Sequence, residues 1–452
     1  MPKKKPDKKT GKKKAVKPGK KSKIKSLNIN VPVLARVEGE GALELSIENG
    51  AIAELKLKIF EPPRLFEKLL EGRHYQELPD MVARICGICP VAYQMSAILA
   101  AEHLFTCKVT PWIKAMRRLY YCGEWIQSHA LHIHLLALPD FFQVNNAIEL
   151  SALHPDEVSR GMKLQALGNN IIKLFGARSV NPVGVKVGGF THAPQARQVE
   201  SLLSELNHTE NDAKQLLDWL CDFPLPDFKD KGLQFSLHEN DNYPIMARQL
   251  LSNKEDSLSI DDYESAFQEQ QLPYTTAFHS FYKQRHYLVG PLARFNINRQ
   301  QLHPDVQAIL KKHGYTSALK NNYFAIIARA AEIYQALLEA KHLLANYRVP
   351  DSPYVEVKPR AGIAIGASEA PRGLLWHRYE FDDKGLVRSA KIVPPTSQNQ
   401  AQIEDDIRQT LTTTGLDQDD DQLRHMAEQV IRNYDPCISC ATHFLSMDVK
   451  RL

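Results

Sequence analysis

The sequence predicts a mostly α-helical protein with small peripheral β-hairpins, an α+β arrangement in a single large domain over residues 27–443. Apolar residues recur at helical spacing through most of the chain. Period-two alternation is confined to two stretches, each with a turn signal at its centre. No internal repeat and no clear change of composition divides the body. With 452 residues, 43% of them hydrophobic, the chain can bury a large core. No run approaches the roughly 18 apolar residues of a membrane span.

Taken in order, residues 27–60 alternate around Glu48-Asn49-Gly50, a hairpin signal that Pro62 and Pro63 close. Helical spacing starts at Arg64 with Leu65, Phe66, Leu69 and Leu70. Further helices are expected over 91–104 and 112–138, the second ending at Pro139. Residues 149–223 read as helical with one interruption at 181–190. Residues 224–300 are mixed, with short strands. A long amphipathic helix is expected over 319–347, with Ala330, Ile333, Leu337 and Ala340 on one face. Residues 375–394 form a second hairpin turning at Asp382-Asp383-Lys384-Gly385, and a last helix covers 422–433.

The net charge of +5 conceals two unlike parts. Residues 1–26 hold thirteen lysines and one aspartate, a net of +12, which leaves −7 for the rest. So few apolar residues mark this tail as a disordered, solubilising extension, with a nucleic-acid arm the less favoured reading. It is not a secretory leader, because no apolar stretch follows it. The seven cysteines are odd in number and suggest no disulfide framework, which fits a reducing cytoplasmic setting. Cys107, Cys122 and Cys221 read as buried small hydrophobes.

The other four form two Cys-x-x-Cys pairs with 347 residues between them, Arg84-Ile85-Cys86-Gly87-Ile88-Cys89-Pro90 and Asp435-Pro436-Cys437-Ile438-Ser439-Cys440. Thiolates are what a soft transition metal takes, and two pairs supply four. Gly87 relieves crowding inside the first pair, and Pro436 stiffens the approach to the second. Spacing alone leaves a structural zinc site and a redox dithiol open beside a catalytic metal centre. Zinc ribbons, however, separate their pairs by about 15–20 residues. Glu38, Glu67, Arg372 and His443 are polar residues that could join such a centre.

Together these residues resemble the large subunit of the nickel–iron hydrogenases. Arg-Val-Glu-Gly at 36–39, Phe-Glu-Lys-Leu-Leu-Glu-Gly-Arg at 66–73, Arg-Ile-Cys-Gly-Ile-Cys at 84–89, Val-Gly-Gly at 187–189, Ala-Pro-Arg-Gly at 370–373 and Asp-Pro-Cys-Ile-Ser-Cys-Ala-Thr-His at 435–443 stand in the family's order. The cysteine motifs are specific; Val-Gly-Gly and Ala-Pro-Arg-Gly would be weak alone. The resemblance implies that fold, and a catalytic subunit that interconverts dihydrogen with two protons and two electrons. Cys86 and Cys437 then correspond to terminal nickel thiolates. Cys89 and Cys440 correspond to the sulfurs bridging nickel to an iron that carries carbon monoxide and cyanide. Cys437 and Glu38 would pass the proton outward, and Arg372, held by Asp435, would stand over the open face. Glu67, His443 and a backbone carbonyl near Lys391 would hold a magnesium ion. Residues 444–452 would be removed by a maturation protease.

Three departures point to the soluble, bidirectional subgroup, which includes sulfhydrogenases. Tyr93 stands where respiratory members have His. Ser128 replaces an Asp that helps the arginine. Pro395 replaces a Ser that donates to a cyanide, a role that passes to Thr396. His129, His132 and His134 fit a packed interior or a partner interface better than a separate metal site. The sequence carries no further cysteine cluster for iron–sulfur centres and no Gly-x-Gly-x-x-Gly for a dinucleotide. The resemblance therefore implies an iron–sulfur small subunit, with flavin and NAD(P) on diaphorase subunits. A hydrogen-sensing subunit with the same site, and a zinc-stapled structural protein, are the rival readings.

Overall fold

The computed structural model describes residues 26–226, 228 and 232–442. The Lys-rich tail before Ser26, His443 and the 444–452 extension lie outside the described residues.

Strands β1 (Ser26–Val31), β2 (Gly41–Glu48) and β3 (Ala51–Ile59) form an antiparallel sheet in that order. Its tight turn is Asn49-Gly50, both at positive φ, as the sequence predicts. Short helices α1 (Phe66–Leu70) and α2 (Leu78–Val82) lead to α3 (Pro90–Leu104). Helix α4 (Pro111–Leu131) starts under a Thr110 side-chain cap. Instead of running unchanged to Pro139, it passes into a π-helical stretch, His132–Ala137, and then into α5 (Leu138–Phe141). Pro139 sits in the first turn of α5, where a missing N–H costs nothing. Helices α6 (Ala147–Leu153) and α7 (Pro155–Gly176) follow. Where α7 packs on α4, two glycines permit close approach: a methyl on Gly168 would lie 2.4 Å from the Gln127 nitrogen.

The expected interruption is a minimal hairpin, β4 (Val185–Lys186) and β5 (Gly189–Phe190), before α8 (Ala196–Cys221). The mixed region holds β6 (Leu233–His238), β7 (Gln249–Ser252), β8 (Leu258–Ser259), α9 (Tyr263–Ala266), β9 (Phe267–Gln271), β10 (Phe278–Tyr282) and β11 (Tyr287–Leu288). These make one four-stranded sheet, ordered β11-β6-β7-β8, and a separate β9–β10 hairpin. Helices α10 (Pro291–Asn298) and α11 (Pro304–Lys312) lead to α12 (Ala325–Ala345).

Helix α12 corrects the amphipathic expectation. Every residue from Ala325 to Leu337 is buried, Arg329, Glu332 and Gln335 included. Over that stretch the Arg329 Nη atoms, Glu332 and Gln335 find internal partners, so no solvent face is needed until the last turns. The second hairpin is part of a three-stranded sheet, β12 (Gly362–Ala370), β13 (Gly373–Phe381) and β14 (Val387–Val393). After it, α13 (Pro395–Thr414) is a helix that the sequence reading missed. Ser397, Gln398, Asn399 and Gln400 fill its buried side and erase the apolar period. The last three bond to backbone oxygens of Leu374, Val289 and Leu57. Helices α14 (Asp420–Tyr434) and α15 (Ile438–Ala441) close the described chain.

One apolar cluster runs from Ile29 to Cys440 and includes all four cysteines of the two pairs. Cys122 and Cys221 are buried as expected, but Cys107 is only partly so.

Candidate metal centre

The two cysteine pairs meet. The four sulfurs lie within 4.8 Å of one another, and all four residues are buried. Cys86 faces Cys437 at 3.3 Å and Cys89 faces Cys440 at 3.5 Å, while Cys437 and Cys440 are 2.7 Å apart.

The first pair sits at the entrance to α3. Cys86 Sγ accepts the Ile88 and Cys89 N–H groups, both at 3.3 Å, which curls the loop around one sulfur. Pro90 opens the helix, leaving the next N–H groups without partners inside it. Glu124, reaching across from α4, accepts them from Val91 at 2.6 Å and Ala92 at 3.0 Å. Arg64 then ties this loop to the other pair by donating to the Ile85 oxygen at 2.6 Å and to the Ser439 oxygen.

The second pair follows the end of α14. Asp435 turns the chain in the left-handed region, with φ +58°. The carbonyls there are gripped by buried donors. His132 takes that of Arg432 at 2.8 Å, Arg329 those of Asn433 and Tyr434 at 3.0 and 3.2 Å, and Arg372 that of Asp435 at 2.7 Å. Cys437 then bridges to the Glu38 backbone, with Ile438 N–H on the Glu38 oxygen at 2.9 Å. Its own N–H goes to the Thr396 hydroxyl at 3.0 Å.

Around the sulfurs, the Glu38 carboxylate lies 3.1 Å from Cys437 Sγ and accepts the Ser439 N–H at 3.0 Å. The Ser439 hydroxyl donates to Glu61, also at 3.0 Å. Arg372 pairs with the Asp435 carboxylate at 3.0 Å and reaches the Ser128 hydroxyl at 3.5 Å. Burial works against the Arg372 charge, but Asp435 and the nearby sulfurs outweigh it and hold the guanidinium protonated. Burial pushes the thiols of Cys89 and Cys437 well up and that of Cys440 up. At Cys86 burial acts in the same direction, but hydrogen bonds from the other three prevail, making it the readiest thiolate. Four buried sulfurs this close cannot all ionise without a cation among them, so the donor set fits soft metal ions. The Tyr93 hydroxyl, buried and without a partner, lies in the field of the same sulfurs.

Other expected residues fall elsewhere. Glu67 accepts the Ile392 N–H at 2.7 Å, while the Lys391 ammonium pairs with Glu264 and Glu269 at 3.1 and 3.4 Å. His443 lies outside the described residues. His129, His132 and His134 are buried and bond separately, to Glu332 and to the Arg432 and Ala130 oxygens. Among the described residues the four cysteines are the only cluster with metal-binding geometry. Arg64, Glu124, Arg329 and Glu61 went unassigned in the sequence. For Arg64, Glu124 and Arg329 the partners seen here are backbone groups remote in the chain, which no motif spacing reports. Glu61, one residue before the two prolines, gave no signal.

The family model described as nickel-dependent hydrogenase matches residues 64–162 and 248–443. The chain belongs to this family. Sulfhydrogenase 2 subunit alpha of Pyrococcus furiosus is 30% identical over 425 residues, spanning 93% of this chain and 100% of that protein. The NAD-reducing hydrogenase HoxS subunit beta of Cupriavidus necator is 28% identical over 93% of this chain and 95% of its own. An NAD+-reducing [NiFe]-hydrogenase in the H2-reduced state superposes with a TM-score of 0.85 at 25% identity, covering 92% of this chain and 99% of that one. The Ni-Fe-Se hydrogenase of Desulfomicrobium baculatum shares the fold, with a TM-score of 0.73 at 21% identity over 92% of this chain and 100% of its own. This nickel–iron hydrogenase large subunit is therefore an oxidoreductase, and its four-cysteine cluster is the place for nickel and iron. None of its described helices is long and apolar enough to cross a membrane.

Proposed function

We propose that this subunit interconverts dihydrogen with protons and electrons reversibly, with Cys86 and Cys437 as terminal nickel ligands and Cys89 and Cys440 bridging nickel to iron. The observation that carries this reading is a buried four-sulfur cluster with the Glu38 carboxylate 3.1 Å from one sulfur. The facing of Cys86 with Cys437 and of Cys89 with Cys440 supports the split into two ligand types. When bound, the metal pair supplies the polarisation that makes dihydrogen acidic. The residues do the rest. Cys437 Sγ takes the proton and Glu38 removes it, being within hydrogen-bonding reach. Ser439 holds Glu38 by its N–H and Glu61 by its hydroxyl, which makes Glu61 the next carboxylate outward. Arg372 and Thr396 would supply donors to carbon monoxide and cyanide bound with the metals, Asp435 keeping the arginine oriented.

Glu67, His443 and a backbone oxygen near Lys391 hold magnesium in this reading, and a maturation protease removes residues 444–452. Electrons leave through an iron–sulfur small subunit. The likeness to the NAD-reducing HoxS and to an NAD+-reducing hydrogenase supports an NAD(P)-linked partner; flavin-bearing diaphorase subunits and a cytoplasmic location complete the proposal. The test is an infrared spectrum with nickel and iron counts on enzyme isolated with its partners. Carbonyl and cyanide bands with nickel are expected; zinc with a blank spectrum discards the reading. For the relay, Glu38→Gln is expected to retain metals but to slow hydrogen–deuterium exchange severely. Unimpaired exchange would route the proton elsewhere.

A further inference from the structure

Six buried charges cluster where Arg372 faces the sulfurs: Arg372 itself, Arg329 and Arg294 against Asp435, Glu332 and Glu369. They balance in number but not in place. Arg294 takes both Glu332 and Glu369, at 2.8 and 3.0 Å. Asp435 is thereby left facing two guanidiniums, and only Arg372 is paired with it. Arg329 has no carboxylate partner among the described residues. Its Nη atoms donate to two carbonyls at the end of α14, and its buried Nε has no partner. On the other side of Arg372 stands the neutral Ser128.

The six sum to zero, so the positive excess at Asp435 is local, and the groups around the six do not pair it. His129 and His132 are driven to their neutral forms by burial. Arg432 is matched by Asp140 and Glu428. Glu124 is pushed by burial toward its uncharged form. Arg329 itself, lowered by burial to about 10, stays charged at neutral pH.

We propose that Arg329 is a positioning residue of the centre: it grips the segment leading to Cys437 and places a guanidinium without a carboxylate partner behind Arg372, which favours the more electron-rich state of the metal site. In a low-dielectric interior an unpaired charge acts over more than one residue diameter. The inference rests on the nickel–iron reading above.

The test uses enzyme isolated with its partners and reads nickel content, infrared bands of the metal-bound diatomic ligands, and the midpoint potential of the centre. Ser128→Asp adds a carboxylate beside Arg372 without touching the α14 carbonyls, while Arg329→Gln removes the charge and keeps one donor group. Both are expected to move the bands to lower wavenumber and the potential to more negative values. Arg329→Lys is expected to restore the wild-type bands. Nickel loss in Arg329→Gln, rescued by Arg329→Lys, supports the positioning role. Unmoved bands and potential in Ser128→Asp overturn the charge assignment, whatever Arg329→Gln does. Wild-type nickel, bands and potential in Arg329→Gln overturn the whole inference. Wild-type enzyme without nickel or diatomic bands is a different failure, that of the nickel–iron reading, and removes this inference with it.

Discussion

The first cysteine pair hangs from the N-terminus of α3 and the second from the C-terminus of α14, and the molecule secures them with opposite chemistry. At α3 the loose groups are N–H donors, and one carboxyl group, Glu124, meets two of them. At α14 they are carbonyls, met by His132, Arg329 and Arg372. Each anchor suits the partial charge of the helix end it caps. None is local: Cys89 and Asp435 lie 35 or more residues from these side chains, so the pocket is built only when distant segments meet. The difference also divides the labour. Both pairs lie in the field of Arg372, but only the second touches Glu38 and has Arg372 itself among its anchors.

The largest expected effect treats the pairs as equals. Cys86→Ser and Cys437→Ser should each abolish both nickel retention and turnover, by metal analysis and hydrogen uptake. Full nickel in either variant would break the equivalence. Next comes the α3 anchor. Glu124→Ala strands two buried N–H groups, at roughly 1–3 kcal/mol each, and should lower the unfolding midpoint well below that of Glu124→Gln, which keeps an acceptor. Equal midpoints for the two variants would mean that the cap contributes nothing.

Acid should separate the two ends by sign. Burial holds His129 and His134 at about 4 against an ordinary 6.5. The unfolded chain therefore takes up protons near 6.5 that the folded chain refuses, and stability falls from there down to about 4. His132 is lowered in the same direction, so His132→Gln should flatten the fall in a pH series of thermal unfolding. Glu124 is shifted upward by burial, so acid does not weaken the α3 end through it. A slope unchanged in His132→Gln would remove that histidine from the account. The smallest effect belongs to Cys107→Ser. Its thiol, raised by burial to about 11, is neutral and lies outside the cluster. Nickel content and turnover should not move.

What could be read from the sequence was what repeats or recurs by type. The cysteine pairs carry their chemistry in their side chains, while Glu38 beside Cys437 and the Arg372–Asp435 pair were expected only through the family resemblance. The Asn49-Gly50 turn carries its geometry in two residues. Glu124, Arg64 and Arg329 could not be found that way, because what they hold is backbone far along the chain. Helices α12 and α13 misled for a related reason: polar side chains buried against internal partners look, in sequence, like a solvent face.

The meeting of Cys86 with Cys437 spans 351 residues. A ribosome adds about 5–20 residues each second, so the first two thiols emerge roughly 20–70 s before the other two. For that interval the nascent chain offers half a binding site. Complete metal capture thus waits for the second pair, and Cys86 and Cys89 have to reach it still reduced.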